Sequence, residues 1–262
     1  MNARPKKSFG QHFLHERRYI ERIVSAISPR ADDFVVEIGP GEGALTLPLL
    51  AAAGKLTAIE LDTDLIPGLQ ARAIEVGKLD IIHADVLKVD FTALAHRHGV
   101  ERLRIAGNLP YYISSPILFH CVEHTAAIVD MHFMLQKEVV DRMAAEPGSK
   151  VYGRLSVMLQ LACRVEPLFN VPPGAFRPPP KVDSAVVRLI PIPADKRHDA
   201  DPERLYAIVK AAFAQRRKTL GNALKQLMDG DAIRAADVDP KARAETLAPD
   251  DFVRLAKITV PN

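Results

Sequence analysis

Cysteine is scarce in this 262-residue sequence, which contains only Cys121 and Cys163, far apart along the chain. The two form no CxxC pair, so the sequence indicates neither a zinc ribbon nor a disulfide framework, and we interpret them as reduced thiols in the core of a cytoplasmic protein. Long apolar runs are also missing. The richest, LTLPLLAAAG, is too short to cross a membrane and contains a proline. The polar start, MNARPKKSFGQHF, lacks the apolar segment of a signal peptide. We therefore expect no membrane association.

Charge of one sign does not dominate the whole chain, whose net charge is +3, but it dominates two segments. Residues 1–18 contain five basic residues and one acidic residue, and residues 210–225 contain five basic residues and no acidic one. The rest of the chain is therefore net acidic. Local basic surface on a mildly acidic body is typical of a nucleic-acid binder, although two solvated charged faces would account for the same counts equally well.

Strand-like and helix-like patterns alternate between residues 33 and 136. The segments that we interpret as strands, rich in valine, isoleucine and leucine, are Phe34–Ile38, Leu56–Leu61, Asp80–His83, Arg104–Ala106 and Ile128–Leu135. Helical patterns such as Thr63–Glu75 run between them. This alternation predicts an α/β fold with a Rossmann-like, mostly parallel sheet that has helices on both faces. Two later segments, Arg154–Val165 and Val182–Ile190, are expected to complete an antiparallel edge.

A proline-containing linker at residues 191–197 separates this sheet region from a helical C-terminal part. Asp201 followed by Pro202 has the form of a helix start, and apolar residues at positions 205, 208, 209, 212 and 213 then fall on one helical stripe. Asp239–Pro240 and Pro249–Asp250 predict two further helix starts. We therefore predict a larger α/β domain at residues 1–195 and a small all-helical domain at residues 196–262.

A glycine-rich turn, EIGPGEGA from Glu37 to Ala44, follows the first predicted strand. Glycines such as Gly39 and Gly41 at a strand-to-helix turn let the backbone approach a ligand closely. The turn also matches the G-x-G-x-x-A pattern of nicotinamide-dinucleotide enzymes. A tight turn that binds no ligand would have the same composition, so the turn alone does not identify a cofactor.

Three acidic residues at the carboxyl ends of the predicted strands favour S-adenosylmethionine as the ligand. Glu37 precedes the first glycine by two positions, Glu60 ends the second strand, and Asp85 follows the third. Open α/β sheets bind ligands at this edge. There, Glu60 can accept both ribose hydroxyls and Asp85 can receive an adenine amino group. A dinucleotide enzyme would use an acid in the position of Glu60 as well.

The residues after the fourth predicted strand, NLPY, suit methylation of an adenine amine. Such an amine is a weak nucleophile because its lone pair is delocalised into the ring. The Asn108 side-chain oxygen and the Leu109 carbonyl can accept its two hydrogens and so aim the lone pair at a methyl donor. Tyr111 offers a face for a flipped base, and Pro110 stiffens the loop. A proline turn beside two core tyrosines is the alternative interpretation.

With these motifs in place, the chain resembles the KsgA/RsmA family of ribosomal RNA adenine dimethyltransferases nearly end to end. The segments that match, in family order, are FGQHFL, VEIGPGEGALT, IELD, HADVL, GNLPYYISSPIL, MLQKEVVDRM, GSKVYGRLSV, FRPPPKVDSAVVRL and FAQRRKTLGNAL. The sequence departs from the family pattern at His12, where many members have asparagine. It departs again at Gly221, where members commonly have arginine, and this change would weaken the basic RNA-facing helix.

The resemblance implies roles for further residues. It assigns contact with the methionine part of the cofactor to the segment that contains Gln11, His12 and Leu14, within an N-terminal stretch, residues 1–30, that contacts cofactor and RNA. It also places Val86 and Asn108 at the cofactor, and Phe176 as a second aromatic residue beside the target base.

Basic residues in both charged segments are candidates for RNA contact. Arg216, Arg217 and Lys218 follow the apolar stripe directly, and three consecutive side chains on a helix cannot all face the core. Such a fan suits phosphate contacts that position an RNA without reading its bases, and Lys6 and Lys7 are the second candidate group. A solvated helix end whose cations favour the helix dipole is the alternative.

The activity that the resemblance implies is methyl transfer from S-adenosylmethionine to the N6 amines of two adjacent adenosines in the 3′-terminal hairpin of 16S rRNA. The products are N6,N6-dimethyladenosines in an assembling 30S subunit, and we expect a monomeric enzyme without a metal. The NLPY form and the GSKVYGRLSV segment favour this activity over an Erm-type enzyme acting on 23S rRNA. A non-catalytic assembly factor would need neither Asn108 nor Tyr111, and a nicotinamide oxidoreductase would leave the NLPY loop unexplained.

One motif matches a different chemistry. His120–His124 spells H-x-x-E-H, an inverted zinc-protease pattern. A catalytic zinc would need a third protein ligand and an open cleft, so we interpret this match as accidental.

Overall fold

The computed structural model describes residues 12–215 and 217–258, and the chain divides into two compact units. The first comprises residues 1–140 and 166–191, and the second comprises residues 141–165 and 192–262. The sequence predicts a single boundary between residues 195 and 196. In the structure, residues 141–165 group with the second unit because side chains such as Val157 and Leu161 belong to the helical core.

A seven-stranded sheet organises the first unit. Its strands, in spatial order, are β4 (Lys78–His83), β3 (Lys55–Glu60), β2 (Val35–Ile38), β5 (Leu103–Asn108), β6 (Ile128–Gln136), β9 (Ser184–Pro191) and β7 (Cys163–Val171). The first five are mutually parallel, and β9 pairs antiparallel with β6. Two short strands, β1 (Phe13–Leu14) and β8 (Phe176–Arg177), form a separate antiparallel pair. The predicted mostly parallel, Rossmann-like sheet with an antiparallel edge is therefore confirmed.

Four helices connect the parallel strands, namely α2 (Thr46–Ala53), α3 (Ile66–Ala73), α4 (Phe91–Arg97) and α5 (Ser114–Glu123). Helix α1 (Arg17–Ile27) precedes β2, and α6 (Lys137–Met143) follows β6 and crosses the boundary between the units. All four residues of β2 are buried, as expected for a parallel strand covered on both faces. Asp90 starts α4 because its carboxylate accepts the Ala93 amide proton at 3.0 Å. No helix in the described ranges is long and apolar enough to cross a membrane.

The five parallel strands lie within two residues of their predicted bounds, but the predicted edge segment Arg154–Val165 is wrong in its first part. Residues Arg154–Ala162 form helix α7, and β7 begins only at Cys163. Apolar residues stand at every second position from Leu155 to Leu161, a pattern that is typical of a strand. The helix buries these residues together with Ser156, on more than one face, so no helical stripe is visible in the sequence.

The second unit is helical, with α7 followed by α8 (Pro202–Ala214), α9 (Leu220–Ala223), α10 (Gly230–Ala235) and α11 (Pro249–Lys257). Asp201 accepts the Arg204 amide proton at 2.9 Å, which confirms the predicted start of α8. Four residues of the predicted stripe are buried, and the fifth, Phe213, lies 5.6 Å from the Phe252 ring between ring centres.

One of the two later helix starts is wrong. Pro249 begins α11 as predicted, whereas Asp239 accepts the Lys241 amide proton at 2.8 Å in a turn that is not continued as a helix.

Candidate active site

A cleft in the first unit is lined by residues that follow the carboxyl ends of β2, β3, β4 and β5, together with β1 and the start of α5. The predicted site residues that line it are His12, Leu14, Glu37, Gly39, Gly41, Glu60, Asp85, Val86, Asn108, Leu109, Pro110 and Tyr111. Parallel strands direct their carboxyl ends to one edge of the sheet. Residues that are far apart in the sequence therefore meet in one cleft, and this is the edge that the sequence predicts.

The glycine turn after β2 brings the backbone close to the cleft. Gly39 and Gly41 have φ angles of 68° and 56°, which other residues rarely adopt. A Cβ atom on Gly41 would also lie 3.1 Å from the Phe13 ring. The Gly39 amide donates to the Ile59 carbonyl at 2.9 Å, and the Gly41 amide donates to Glu60 Oε2 at 3.1 Å. These bonds fix the turn against the end of β3.

Glu60 is held at the cleft by backbone amides. Besides the Gly41 bond, its Oε1 accepts the Asp62 amide proton at 2.8 Å. Burial raises the pKa of this carboxyl, and the backbone hydrogen bonds oppose the rise. Each carboxylate oxygen can accept a further hydrogen bond, so the oriented group suits a pair of neighbouring hydroxyls such as a ribose diol.

Glu37 is a buried acid with an unmet acceptor. Its side chain is 1% exposed, and Oε2 has no hydrogen-bond partner within the described part of the chain. Burial raises its pKa to about 7, and the charge of Glu60 adds to the rise. A cationic ligand would stabilise the charged form, so the site fits S-adenosylmethionine, which carries sulfonium and ammonium charges.

The charge of the whole lining agrees with this fit. Five acidic residues line the cleft, namely Glu37, Glu42, Glu60, Asp62 and Asp85, and the lining found among the described residues includes neither lysine nor arginine. A cleft of this charge favours a cation over an anion such as the pyrophosphate of a dinucleotide. The charge of the lining therefore favours S-adenosylmethionine over a nicotinamide dinucleotide, a choice that the glycine turn alone leaves open.

Asp85 and Val86 begin the segment after β4. Asp85 Oδ1 accepts the Leu87 amide proton at 3.0 Å and so caps the short 3₁₀ turn Val86–Lys88. This bond uses one of the two carboxylate oxygens and fixes the direction of the group. Val86 is buried and provides apolar surface at the same place.

Asn108 ends β5 with a defined amide orientation. Its Nδ2 donates to the His12 backbone carbonyl at 3.1 Å, and a carbonyl partner requires the nitrogen at that position. The Leu109 amide donates to the Met134 carbonyl at 3.1 Å. The loop that follows the strand is therefore fixed at two successive residues, with Asn108 Oδ1 left as the acceptor.

Tyr111 is half-buried and has partners on two sides. Its hydroxyl lies 2.6 Å from Ser184 Oγ, and its ring stacks on the His12 ring at 5.7 Å between centres and 28° between planes. Burial raises the pKa of the hydroxyl, so it stays protonated at neutral pH. Since His12 covers one face of the ring, a stacked base has only the other face.

Phe176 does not reach the cleft lining. It pairs with Leu14 in the β1–β8 sheet, and its side chain is 2% exposed within the hydrophobic core of the first unit. The structure therefore gives no support to contact between Phe176 and a target base.

The predicted basic residues are only partly described. Lys6, Lys7 and Arg216, like the cofactor candidate Gln11, lie outside the described residues. Arg217 and Lys218 are exposed, but α8 ends at Ala214, so they lie in a turn and not on the predicted helix.

Gly221, the other departure from the family pattern, donates its amide to the Pro240 carbonyl at 2.9 Å in the second unit.

Several lining residues received no individual role from the sequence, among them Phe13, Leu61, Asp62 and Tyr112. Leu61 is 48% exposed beside Glu60, and Asp62 is buried. Both directly follow β3, so the strand-end argument that identified Glu60 applies to them too. Phe13 packs against Gly41, a contact between distant parts of the chain that sequence spacing does not indicate.

The H-x-x-E-H motif has structural partners. His120 Nε2 lies 2.8 Å from the Val89 carbonyl, and both histidine rings pack against Phe91. Within the described residues, no group of three or more histidine, cysteine, aspartate or glutamate side chains is arranged to hold a metal ion.

Comparison with known proteins identifies the family. The model of the ribosomal RNA adenine dimethylase family matches residues 2–260. Ribosomal RNA small subunit methyltransferase A of Xanthomonas oryzae pv. oryzae is 61% identical over 257 residues, which cover 98% of this chain and 97% of that protein. The chain belongs to the ribosomal RNA adenine dimethylase family. The predicted KsgA/RsmA membership is confirmed, and the protein is an S-adenosylmethionine-dependent rRNA adenine dimethyltransferase.

Solved structures of this class share the fold. A dimethyladenosine transferase from Plasmodium falciparum superposes with a TM-score of 0.79 at 27% identity, covering 93% of this chain and 96% of that one. The 23S rRNA methyltransferase ErmE superposes with a TM-score of 0.71, also at 27% identity, covering 94% and 98%.

Proposed function

We propose that this dimethyltransferase acts on the small ribosomal subunit. In this proposal it methylates the N6 amines of two adjacent adenosines in the 3′-terminal hairpin of 16S rRNA while the 30S subunit assembles. The support is the high identity, over nearly the whole chain, to a relative named for the small subunit. ErmE, named for 23S rRNA, is much more distant. We also propose that the enzyme is cytoplasmic and monomeric. Light scattering of the purified protein tests the oligomeric state.

The orientation of the Asn108 amide carries the catalytic proposal. With Nδ2 engaged by the His12 carbonyl, Oδ1 and the Leu109 carbonyl accept the two hydrogens of the target amine. This turns the nitrogen lone pair out of conjugation with the ring, mainly a positioning effect. After the first methylation one hydrogen remains, and one acceptor still orients it. The proton released with each methylation leaves an already acidic ammonium, so no strong base is needed.

Other cleft residues hold the cofactor in this proposal. When bound, the cofactor supplies an electrophilic methyl group on a sulfonium. Glu60 accepts the ribose hydroxyls, Asp85 with Val86 holds the adenine, and Glu37 balances positive charge in the buried part of the site. The turn at Gly39 and Gly41 allows close approach of the backbone, and Gln11, His12 and Leu14 contact the methionine part.

Tyr111 and the exposed cations act on the RNA. Tyr111 presents its uncovered face to the flipped adenine, and Pro110 restricts the loop that holds it. Lys6, Lys7, Arg216, Arg217 and Lys218 contact phosphates and so position a large RNA without reading its bases.

Transfer of labelled methyl groups to purified ribosomal particles tests the proposal. Particles come from a strain that lacks this modification, and mass spectrometry maps the products. We expect label on two adjacent adenosines of small-subunit RNA, two methyl groups on each, and none on large-subunit particles. Label confined to large-subunit RNA would reject the proposal in favour of an Erm-type activity. An Asn108→Ala variant that binds the cofactor but transfers no label provides the matched control.

A further inference from the structure

A second aromatic ring stands at the rim of the cleft, one residue after Tyr111. Tyr112 lines the cleft and yet is 59% exposed. Single exposed apolar side chains are ordinary on protein surfaces. What distinguishes Tyr112 is its place, because it belongs to the loop that we assign to the target base.

The backbone that carries Tyr112 is rigid. Tyr111–Ile113 form a 3₁₀ turn in which the Ile113 amide donates to the Pro110 carbonyl at 3.2 Å. Ser114, which is buried at the start of α5, donates its hydroxyl to the Tyr111 carbonyl at 3.2 Å. Consecutive side chains on a 3₁₀ turn point about 120° apart. Tyr111 is therefore half-buried against Ser184 while Tyr112 remains in solvent.

The charge of the cleft limits how RNA can be held at its mouth. The described lining is acidic and includes no lysine or arginine, so it offers a phosphate no ionic partner. Stacking of a base on an aromatic ring needs no charge and tolerates any base. An exposed tyrosine at the rim is suited to hold RNA at this place.

We propose that Tyr112 stacks on the nucleotide next to the adenosine being methylated. The inference rests on the proposed function, in which the two target adenosines are adjacent. With one adenine in the cleft beside Tyr111, its neighbour lies at the mouth of the cleft, and Tyr112 presents a ring to it. Tyr112 is thus a binding residue for RNA, and it does not hold the cofactor.

Steady-state kinetics on undermethylated small-subunit particles test this role. Tyr112→Ala should raise KM for the particles about 5- to 150-fold, the range that corresponds to loss of one stacked base. Its affinity for S-adenosylmethionine, measured by calorimetry, should stay within about twofold of wild type. Tyr112→Phe should restore KM, because the ring stacks without its hydroxyl. Ile74→Ala removes a side chain that is 78% exposed and outside the cleft lining, and it should leave KM unchanged.

Three results would overturn the role of Tyr112. They are an unchanged KM in Tyr112→Ala, a rise in KM in Tyr112→Phe as large as that in Tyr112→Ala, and a loss of S-adenosylmethionine affinity in Tyr112→Ala as large as the rise in KM. Circular dichroism first establishes that each variant is folded. Wild-type enzyme in the same assay reports on the proposed function by itself. If wild type labels small-subunit RNA and Tyr112→Ala behaves identically, only the role of Tyr112 is wrong. If wild type labels only large-subunit RNA, the proposed function fails and the inference fails with it.

Discussion

Replacing Glu37 with glutamine should stabilise the ligand-free enzyme, and the gain should grow with pH. The native carboxyl has a pKa of about 7 against 4.5 for the ordinary group, because burial disfavours its charged form. Well below pH 4.5 the carboxyl is protonated in both the folded and the unfolded states, so its ionisation contributes no cost. As the pH rises, the unfolded chain ionises first and the folded state loses stability. Above pH 7 the full cost is present.

The size of the effect follows from linkage. A displacement from 4.5 to about 7 corresponds to about 3 kcal/mol at high pH. Between pH 5 and pH 8 the cost grows by roughly 2.5 kcal/mol. Glutamine keeps the shape of the side chain and does not ionise. The free energy of unfolding of Glu37→Gln, relative to that of wild type, should therefore increase by roughly 2.5 kcal/mol between pH 5 and pH 8.

Urea denaturation at several pH values, without cofactor, measures the difference. The unfolding slope should be the same for both proteins, so that midpoints report stability alone. Glu75→Gln removes an exposed carboxylate and keeps Glu37, so its stability should follow the wild-type curve at every pH. Parallel stability curves for wild type and Glu37→Gln would refute the assignment of a raised pKa to Glu37.

The same carboxyl should link cofactor affinity to pH. If its charged form favours the cationic cofactor, wild-type affinity should increase as the pH rises through about 7, and Glu37→Gln should lose this dependence. The variant would then be more stable and bind more weakly. Such an opposition between stability and function is expected where a binding site contains a buried charge.

Five further variants test the remaining assignments. Glu60→Ala should weaken S-adenosylmethionine binding by about 1–3 kcal/mol, through lost charge-assisted hydrogen bonds, and unchanged calorimetric affinity in a folded variant would remove Glu60 from the site. Asn108→Ala should lower kcat strongly with near-normal RNA binding, so an unchanged kcat would exclude the acceptor role. Tyr111→Ala should lose about 1–3 kcal/mol of base stacking. Tyr111→Phe should lose only the Ser184 hydrogen bond, about 1 kcal/mol. If the two variants lost kcat/KM equally, the stacking role would be contradicted. Arg217→Ala combined with Lys218→Ala should raise KM for particles and reduce the log–log salt slope by up to about one per lost phosphate contact, and an unchanged slope would exclude docking there.

The inner part of the sheet could be predicted because its strands are buried on both faces. Such strands are nearly continuous runs of valine, isoleucine and leucine, as in Val35–Ile38. The candidate site followed from the same fact, since acids and glycines at the ends of parallel strands must meet at one edge. The order of the strands along the chain was enough to place four residues at this site, namely Glu37, Glu60, Asp85 and Asn108.

Features that depend on distant contacts could not be predicted in this way. The period-two pattern around Val157 indicated a strand, and only packing inside the helical unit makes the segment a helix. Phe176 is in the core because β8 pairs with β1, which lies more than 160 residues earlier. The bond from Asn108 to His12, the raised pKa of Glu37 and the exposure of Tyr112 likewise follow from packing and not from local pattern.

The distribution of charge indicates that S-adenosylmethionine and RNA bind through different kinds of contact. The described lining of the cleft is acidic, which suits a cationic cofactor and opposes a polyanion. In the proposed function, RNA binding therefore draws on neutral contacts at the loop of Tyr111 and Tyr112, and on cations outside the cleft lining such as Arg217 and Lys218. Exposed ion contacts are screened over about 8 Å at physiological salt, and buried ones much less. Added salt should therefore weaken the docking of ribosomal particles steeply while changing cofactor affinity little, because Glu37 and Glu60 are buried.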